Sequence, residues 1–218
     1  MNCFSQVSRL ALTGAFAAIL SANTWAGRPL DVDDAGVNAK GHGHVELWQT
    51  RAADGTRNWT IAPAFAPIEG FEVAYVRNTD NSSQDMAQTL QLKGLITPSK
   101  EDGCNQAATY GITRRNHELA GARYGWLINT CNQSWGSWHT NLGASHDFST
   151  SSKPLLATAL EFSGFSFVPH VQWIAQQGTM PSFGAGIRKA LNDQWQIDAS
   201  ASRQGGQSIW TLGTKFSF

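Results

Sequence analysis

The sequence predicts an all-β chain, a transmembrane antiparallel up-and-down β-barrel of about 12 strands. Three observations carry that expectation. From Glu46 to Phe218 apolar and polar residues alternate with period two, the pattern of strands that have two unlike faces. Turn residues cut this stretch into about twelve segments, each long enough for the ~9 to 11 residues that cross a bilayer at a tilt. After residue 26 there is no apolar run long enough for a membrane-spanning helix, which needs ~18 residues or more, so a spanning chain must cross as strands.

The 218 residues fit one domain, and 15% charged residues with nine Trp is a charge-poor, aromatic-rich composition. Arg9 supplies a basic n-region, Leu10 to Leu20 an apolar h-region, and Thr24-Trp25-Ala26 a small-x-small cleavage site. Residues 1–26 are therefore expected to be a cleaved signal peptide, 27–41 a periplasmic N-terminal segment and 42–218 the barrel. No lipobox precedes the cut, so a lipid anchor is not expected. Cleavage removes Arg9 alone among the charged residues, taking 16 Lys+Arg to 15 against 16 Asp+Glu. Such a balance gives nucleic acid no basic face to bind.

The strands are expected near 42–52, 57–67, 70–79, 84–97, 104–115, 121–132, 135–147, 154–163, 165–176, 181–190, 194–203 and 208–218. The clearest alternation is Trp195, Ile197, Ala199 and Ala201 against Gln194, Gln196, Asp198 and Ser200. Tight turns at Ile68-Glu69-Gly70, Ser163-Gly164 and Asn192-Asp193 alternate with longer polar links at Asn78–Ser83, Asn116–Gly121 and Phe148–Lys153. Short periplasmic turns and longer outer loops place both termini in the periplasm. A soluble β-sandwich or lipocalin-like barrel also alternates, with its apolar face inward. Three features speak against it: polar faces rich in Gln, Asn, Arg, His and Gly, aromatics near strand ends, and a chain that stops at Phe218.

With the apolar parity assigned to lipid, the lumen-facing set becomes Glu46, Thr60, Glu72, Gln91, Lys93, Thr109, Arg123, Asn129, His139, Asn141, His170, Gln172, Arg188, Gln194, Gln196, Asp198 and Lys215. Its charges are mixed, which favours internal networks over a field selecting one ion type. Tyr124, Trp126 and Ile128 fall on the lipid side of this assignment. Twelve strands lie between barrels filled by side chains and open porins, so a narrow or plugged lumen is expected.

Cys104 and Cys131 remain after signal cleavage, and the midpoint between them falls within the loop Asn116–Gly121, as it does for hairpin partners. A disulfide between them is expected in an oxidising compartment. Strict alternation puts Cys131 inward and Cys104 outward, so the bond requires a bulge or turn conformation near Gly103.

The last strand, with Trp210, Phe216 and Phe218 on its apolar face, resembles the C-terminal signal by which outer-membrane proteins engage the barrel-assembly machinery. Arg28-Pro29-Leu30, Asp33-Asp34-Ala35-Gly36 and Lys40-Gly41 before Glu46-Leu47 form an opening that resembles the outer-membrane transporter family named for the meta-pathway of phenol degradation. The resemblance covers about twenty residues. It implies a barrel in the outer membrane of a Gram-negative bacterium, surrounded by lipid, that passes small solutes, apolar or aromatic ones among them. It brings no catalytic residues and no cofactor. The segment 27–41 reads equally as a tail that seals the barrel mouth and as a plug that gates a pore.

Other chemistries have candidate residues. A lipid hydrolase needs Ser beside His with an orienting third group. His139 and Asn141 share a face that points into the lumen, while the adjacent Ser145 and His146 point to opposite faces. Asp31, Asp33 and Asp34 could approach a divalent cation, but hard cations need six or more oxygens. His42 and His44, with His170 or Glu46, form another conceivable metal set. No metal site is assigned, and a barrel without transport is the remaining alternative.

Overall fold

In hydrocarbon each unpaired backbone N–H or C=O costs several kcal/mol, so a sheet that spans a membrane must leave no edge. The chain meets this requirement. The computed structural model describes residues 30–80, 86–115, 121–146 and 152–218. The expected signal segment, Arg28-Pro29 and most of the three longer links lie outside the described residues.

Twelve antiparallel strands follow one another: β1 (Gly43–Ala52), β2 (Arg57–Ile68), β3 (Phe71–Asp80), β4 (Met86–Leu95), β5 (Gly103–Arg115), β6 (Ala122–Gln133), β7 (Gly136–His146), β8 (Ser152–Phe162), β9 (Val168–Gln176), β10 (Ser182–Ala190), β11 (Trp195–Gln204) and β12 (Gln207–Ser217). Each pairs with its sequence neighbours, and β1 pairs with β12 to close the barrel. The closing register sets His44 opposite Ser217, Glu46 opposite Lys215 and Arg51 opposite Trp210.

Both ends of the barrel chain, Gly43 and Phe218, meet on one rim, where Gly43 N–H donates to Phe218 O and Phe218 N–H to Gly43 O, each at 2.9 Å. The turns 69–70, 134–135, 163–167 and 191–194 share that rim. The expected alternation of tight and long links is not uniform. Link 96–102 lies on the rim of the termini, whereas Gly205-Gly206 closes a two-residue hairpin on the opposite rim. Both glycines have positive φ, 57° and 84°, as that turn requires. The strand β9 begins at Val168 rather than 165, and Phe165 and Phe167 instead stack on the rim with ring centroids 5.9 Å apart.

The burial pattern is inverted relative to a soluble protein. Leu47, Trp59, Ile61, Tyr75, Leu90, Leu127, Leu142, Ile187, Trp210 and Leu212 are exposed on the outer face, while Thr60, Glu72, Lys93, His139 and Asp198 are buried inside.

Strand β6 departs from the expected parity. Ile128 and Thr130 are buried and Leu127 is exposed, so Tyr124, Trp126 and Ile128 face the interior. Arg123 and Asn129 consequently stand on the outer parity, not in the lumen as the alternation rule assigned them. The reason is space and a hydrogen bond. Gly111 lies opposite Tyr124, and a Cβ at position 111 would overlap the Tyr124 ring. The ring fills the hole that glycine leaves, its hydroxyl donates to Gln91 Oε1 at 2.6 Å, and it stacks on Trp126 with centroids 4.4 Å apart. A valine at 111 should therefore expel the ring and destabilise the β5–β6 hairpin by about 1–3 kcal/mol, the usual cost of overpacking. The check is the urea midpoint of the refolded Gly111→Val barrel.

The same parity removes the need for a bulge at the cysteines. Cys104 pairs directly with Cys131, both carry outward parity, and their sulfurs are bonded. The bond sits near the rim of the termini and spans 27 residues of sequence. A Cys104→Ser/Cys131→Ser double variant should still fold, yet lose roughly 2–4 kcal/mol against denaturant, because the disulfide restricts the unfolded chain. Equal denaturation midpoints for oxidised and reduced protein would contradict this.

Candidate functional site: a plugged lumen

Inward-facing side chains of a twelve-stranded barrel do not fill its interior, so something else must, or water will. Nine of the residues expected in the lumen are buried within the barrel: Glu46, Glu72, Lys93, His139, Asn141, His170, Arg188, Asp198 and Lys215. Thr60, Thr109 and Gln172 are buried with them. Arg123 is exposed on the outside, and Gln194 is exposed in the turn before β11.

The space between these side chains is occupied by the chain itself. Residues 30–38 run through the lumen from β9 towards β3 before the chain turns into β1. Leu30, Val32, Asp34, Ala35 and Asn38 are all buried, Val32 and Ala35 to 1% exposure.

Two kinds of contact hold this plug. Leu30 and Val32 pack against Ala157 and Ala159 of β8, backed by Leu155 and Ile174, and Ala35 packs against Ala107 and Ile128, backed by Leu95 and Trp126. Wall side chains then satisfy the plug backbone, which has no strand partner of its own. Asp31 N–H donates to Gln172 Oε1 (2.7 Å), and Gln172 Nε2 donates back to Asp31 Oδ2 (2.8 Å). Asn141 repeats the device on Asp33, accepting from its N–H (2.7 Å) and donating to its carbonyl (2.8 Å). Ala35 N–H donates to Thr130 Oγ1 (2.8 Å), and Asn38 N–H to Glu72 Oε2 (3.0 Å). Four strands, β9, β7, β6 and β3, thus grip nine residues of plug.

Charge completes the attachment. Lys93 Nζ lies 2.7 Å from Asp33 Oδ1 and 3.3 Å from Asp34 Oδ1. With Lys93 and Asp34 both buried, removing either partner would strand an uncompensated charge. Elsewhere the wall pairs its own charges: Arg188 Nη2 with Glu161 Oε2 at 2.8 Å, and Lys215 Nζ with Glu46 Oε1 at 4.0 Å. His139 Nδ1 is 3.0 Å from Thr130 Oγ1.

Beside the plug remains a cavity of about 350 Å³. Trp48, Tyr124 and Trp126 give it an aromatic wall, and Lys93, Lys215 and Glu46 give it a charged end. The three aromatics are the lining residues that the sequence reading missed. Trp48 shares the parity of Glu46 and could have been found from it. For Tyr124 and Trp126 the signal was a glycine opposite each on a neighbouring strand, Gly111 and Gly143.

Among the described residues the side chains considered for other chemistries have these partners. Ser145 Oγ accepts from Gln176 Nε2 at 2.6 Å, Asn141 is engaged by the plug, and His146 Nδ1 lies 3.2 Å from Ser152 Oγ rather than near Ser145. Asp33 and Asp34 face an amine, His42 is exposed, and His44 Nδ1 meets Asn38. Among the described residues no group of three or more His, Cys, Asp or Glu is arranged to hold a metal ion.

No family model matches the chain, and no curated protein sequence matches it. Solved structures do. The KdgM porin superposes with a TM-score of 0.70 at 7% identity, covering 80% of this chain and 99% of that one. The same porin in complex with disordered oligogalacturonate gives 0.71 at 7% identity, again over 80% and 99%. The outer membrane protein Omp33 of Acinetobacter baumannii gives 0.57 at 8% identity, over 81% and 98%. The fold is that of small twelve-stranded outer-membrane barrels of the porin kind.

Proposed function

We infer that the chain is a non-catalytic outer-membrane channel for passive passage of small molecules, and that its N-terminal segment 30–38 is the gate. The observation that carries this reading is the manner in which the plug is held. Its attachments are side-chain hydrogen bonds, one lysine ion-paired to two carboxylates and apolar packing on the wall rather than strand pairing, and each neutral hydrogen bond contributes only about 0.5–1.5 kcal/mol net. A segment held that way can leave without opening the sheet.

The barrel resemblance to porins supports the reading, with the termini in the periplasm of a Gram-negative bacterium and the last strand, Trp210 to Phe218, as the segment the assembly machinery engages. So does the resemblance of residues 28–47 to the transporter family named for phenol degradation. Cleavage after Ala26 would leave three residues, 27–29, ahead of Leu30, making the plug the free end of the mature chain. The aromatic side chains of Trp48, Tyr124 and Trp126 suit a small aromatic or apolar solute, and the cavity's charges are of both signs, with Lys93 on Asp33 and Asp34 and Lys215 near Glu46, so they give no single-sign field.

A second reading, a structural barrel without flux, draws on the several wall side chains that bond the plug backbone. Solute flux separates the two. In liposome-swelling or planar-bilayer measurements, Lys93→Met should raise solute flux about tenfold or more over wild type, because the plug's buried carboxylates lose their counter-charge. Every ~1.4 kcal/mol removed from docking raises the open population tenfold. Deleting residues 27–38 should give the largest flux. A deletion variant that folds and still passes no solute would establish the structural reading.

A further inference from the structure

Charge is divided between the two faces of the barrel wall by sign. On the described strands the carboxylates Glu46, Glu72, Asp80, Glu161 and Asp198 all carry inward parity, whereas the charged side chains of outward parity are cations. Arg51, Arg57, Arg77, Arg114, Arg123 and Arg203 are exposed on that outer face, and each lies within a few residues of a strand end on the rim opposite the termini. Only Lys189 stands near the other rim.

Register groups the arginines into two stations. In the first, Arg51 pairs directly with Arg57 on one side and with Trp210 on the other, and Arg203 is two residues beyond Ala201, the other neighbour of Trp210. In the second, Gln88 pairs with both Arg77 and Arg114, which puts those arginines two strands, ~10 Å, apart. Arg123 pairs with Ile112 and so is a diagonal neighbour of Arg114, at ~7–8 Å. Like charges placed opposite one another repel. Arginine on a lipid-facing strand also costs ~2–4 kcal/mol at mid-bilayer and far less at the interface. Guanidinium groups gathered in a collar at one rim are therefore best placed against anions at headgroup level. The guanidinium fork matches phosphate oxygens in pairs, which a lysine ammonium cannot do.

We propose that this collar docks the phosphorylated headgroups of an anionic glycolipid of the outer leaflet, with Arg51, Arg57 and Arg203 around Trp210 as one phosphate-binding station and Arg77, Arg114 and Arg123 as the other. The assignment does not depend on whether the lumen conducts. It places the rim opposite the termini in the outer leaflet.

Native mass spectrometry of the refolded full barrel in maltoside micelles, titrated with lipid A carrying both phosphates, tests it. Wild type is expected to bind saturably, about tenfold more tightly than it binds the same lipid after phosphate removal. Arg51→Gln/Arg57→Gln/Arg203→Gln and Arg77→Gln/Arg114→Gln/Arg123→Gln should each abolish most of that preference. The matching arginine-to-lysine sets should restore part of it, and Lys189→Gln should leave it intact. Heat-modifiable gel migration verifies that each variant is folded, and either station suffices if the other set fails to fold. Equal binding of the dephosphorylated lipid, undiminished preference in both glutamine sets, an equal loss in Lys189→Gln, or displacement by equimolar inorganic phosphate would overturn the proposal.

Discussion

Backbone hydrogen bonding in a medium without water sets the terms for everything else in this molecule. Because hydrocarbon offers no partner to an N–H or C=O, the first strand must find the last, and the pairing of β1 with β12 does so along nearly their whole length. Closure fixes the rest. It assigns alternate residues to lipid and lumen, brings both ends of the barrel to one rim, and encloses a space that twelve strands' worth of side chains leaves unfilled. The apolar exterior and polar interior are consequences of that solvent, and reversing them would require a different medium rather than a different topology.

The enclosed space is where the molecule departs from a plain pore. A lumen lined by Glu72, Lys93, Asn141 and Gln172 offers the hydrogen-bonding groups that an irregular segment lacks, and residues 30–38 take them. The fit is chemical rather than merely steric. Carboxamides at 141 and 172 each bond one plug residue as donor and acceptor together, Asn141 the N–H and carbonyl of Asp33 and Gln172 the N–H and carboxylate of Asp31, the amine of Lys93 answers two carboxylates, and alanines at 107, 157 and 159 leave room for the plug's apolar side chains. Small side chains on the wall and polar side chains aimed inward are thus two halves of one arrangement.

The wall's two faces differ in charge for reasons tied to the same geometry. On the described strands Glu46, Glu72, Glu161 and Asp198 are buried in the lumen, where Arg188, Lys215 and Lys93 lie among them, and the charged residues of outward parity are cations near the rims. Arg123 links the interior and exterior accounts. It is outside because Tyr124 is inside, and outside it joins Arg114 at the rim.

How much of this was legible beforehand follows from the range over which each determinant acts. Alternation and turn residues are local, and they sufficed for a twelve-stranded antiparallel barrel, for the strand boundaries within a few residues and for the pairing of Cys104 with Cys131, which depends only on counting from the loop between their strands. They failed at β6, where hydrophobicity was read as facing lipid. Tyr124 turns inward because Gly111, thirteen residues away and on another strand, leaves a hole at that height and Gln91 accepts its hydroxyl proton. They could not choose between a tail and a plug for residues 27–41, because the groups that hold Asp31, Asp33, Ala35 and Asn38 come from β9, β7, β4, β6 and β3 and converge only once the barrel has closed. The sequence by itself determined the faces, spans and pairing order, all set by neighbours along the chain. Only the tertiary structure decided what fills the centre and on which side one strand's aromatics lie, because both are set by the space left between strands distant in sequence.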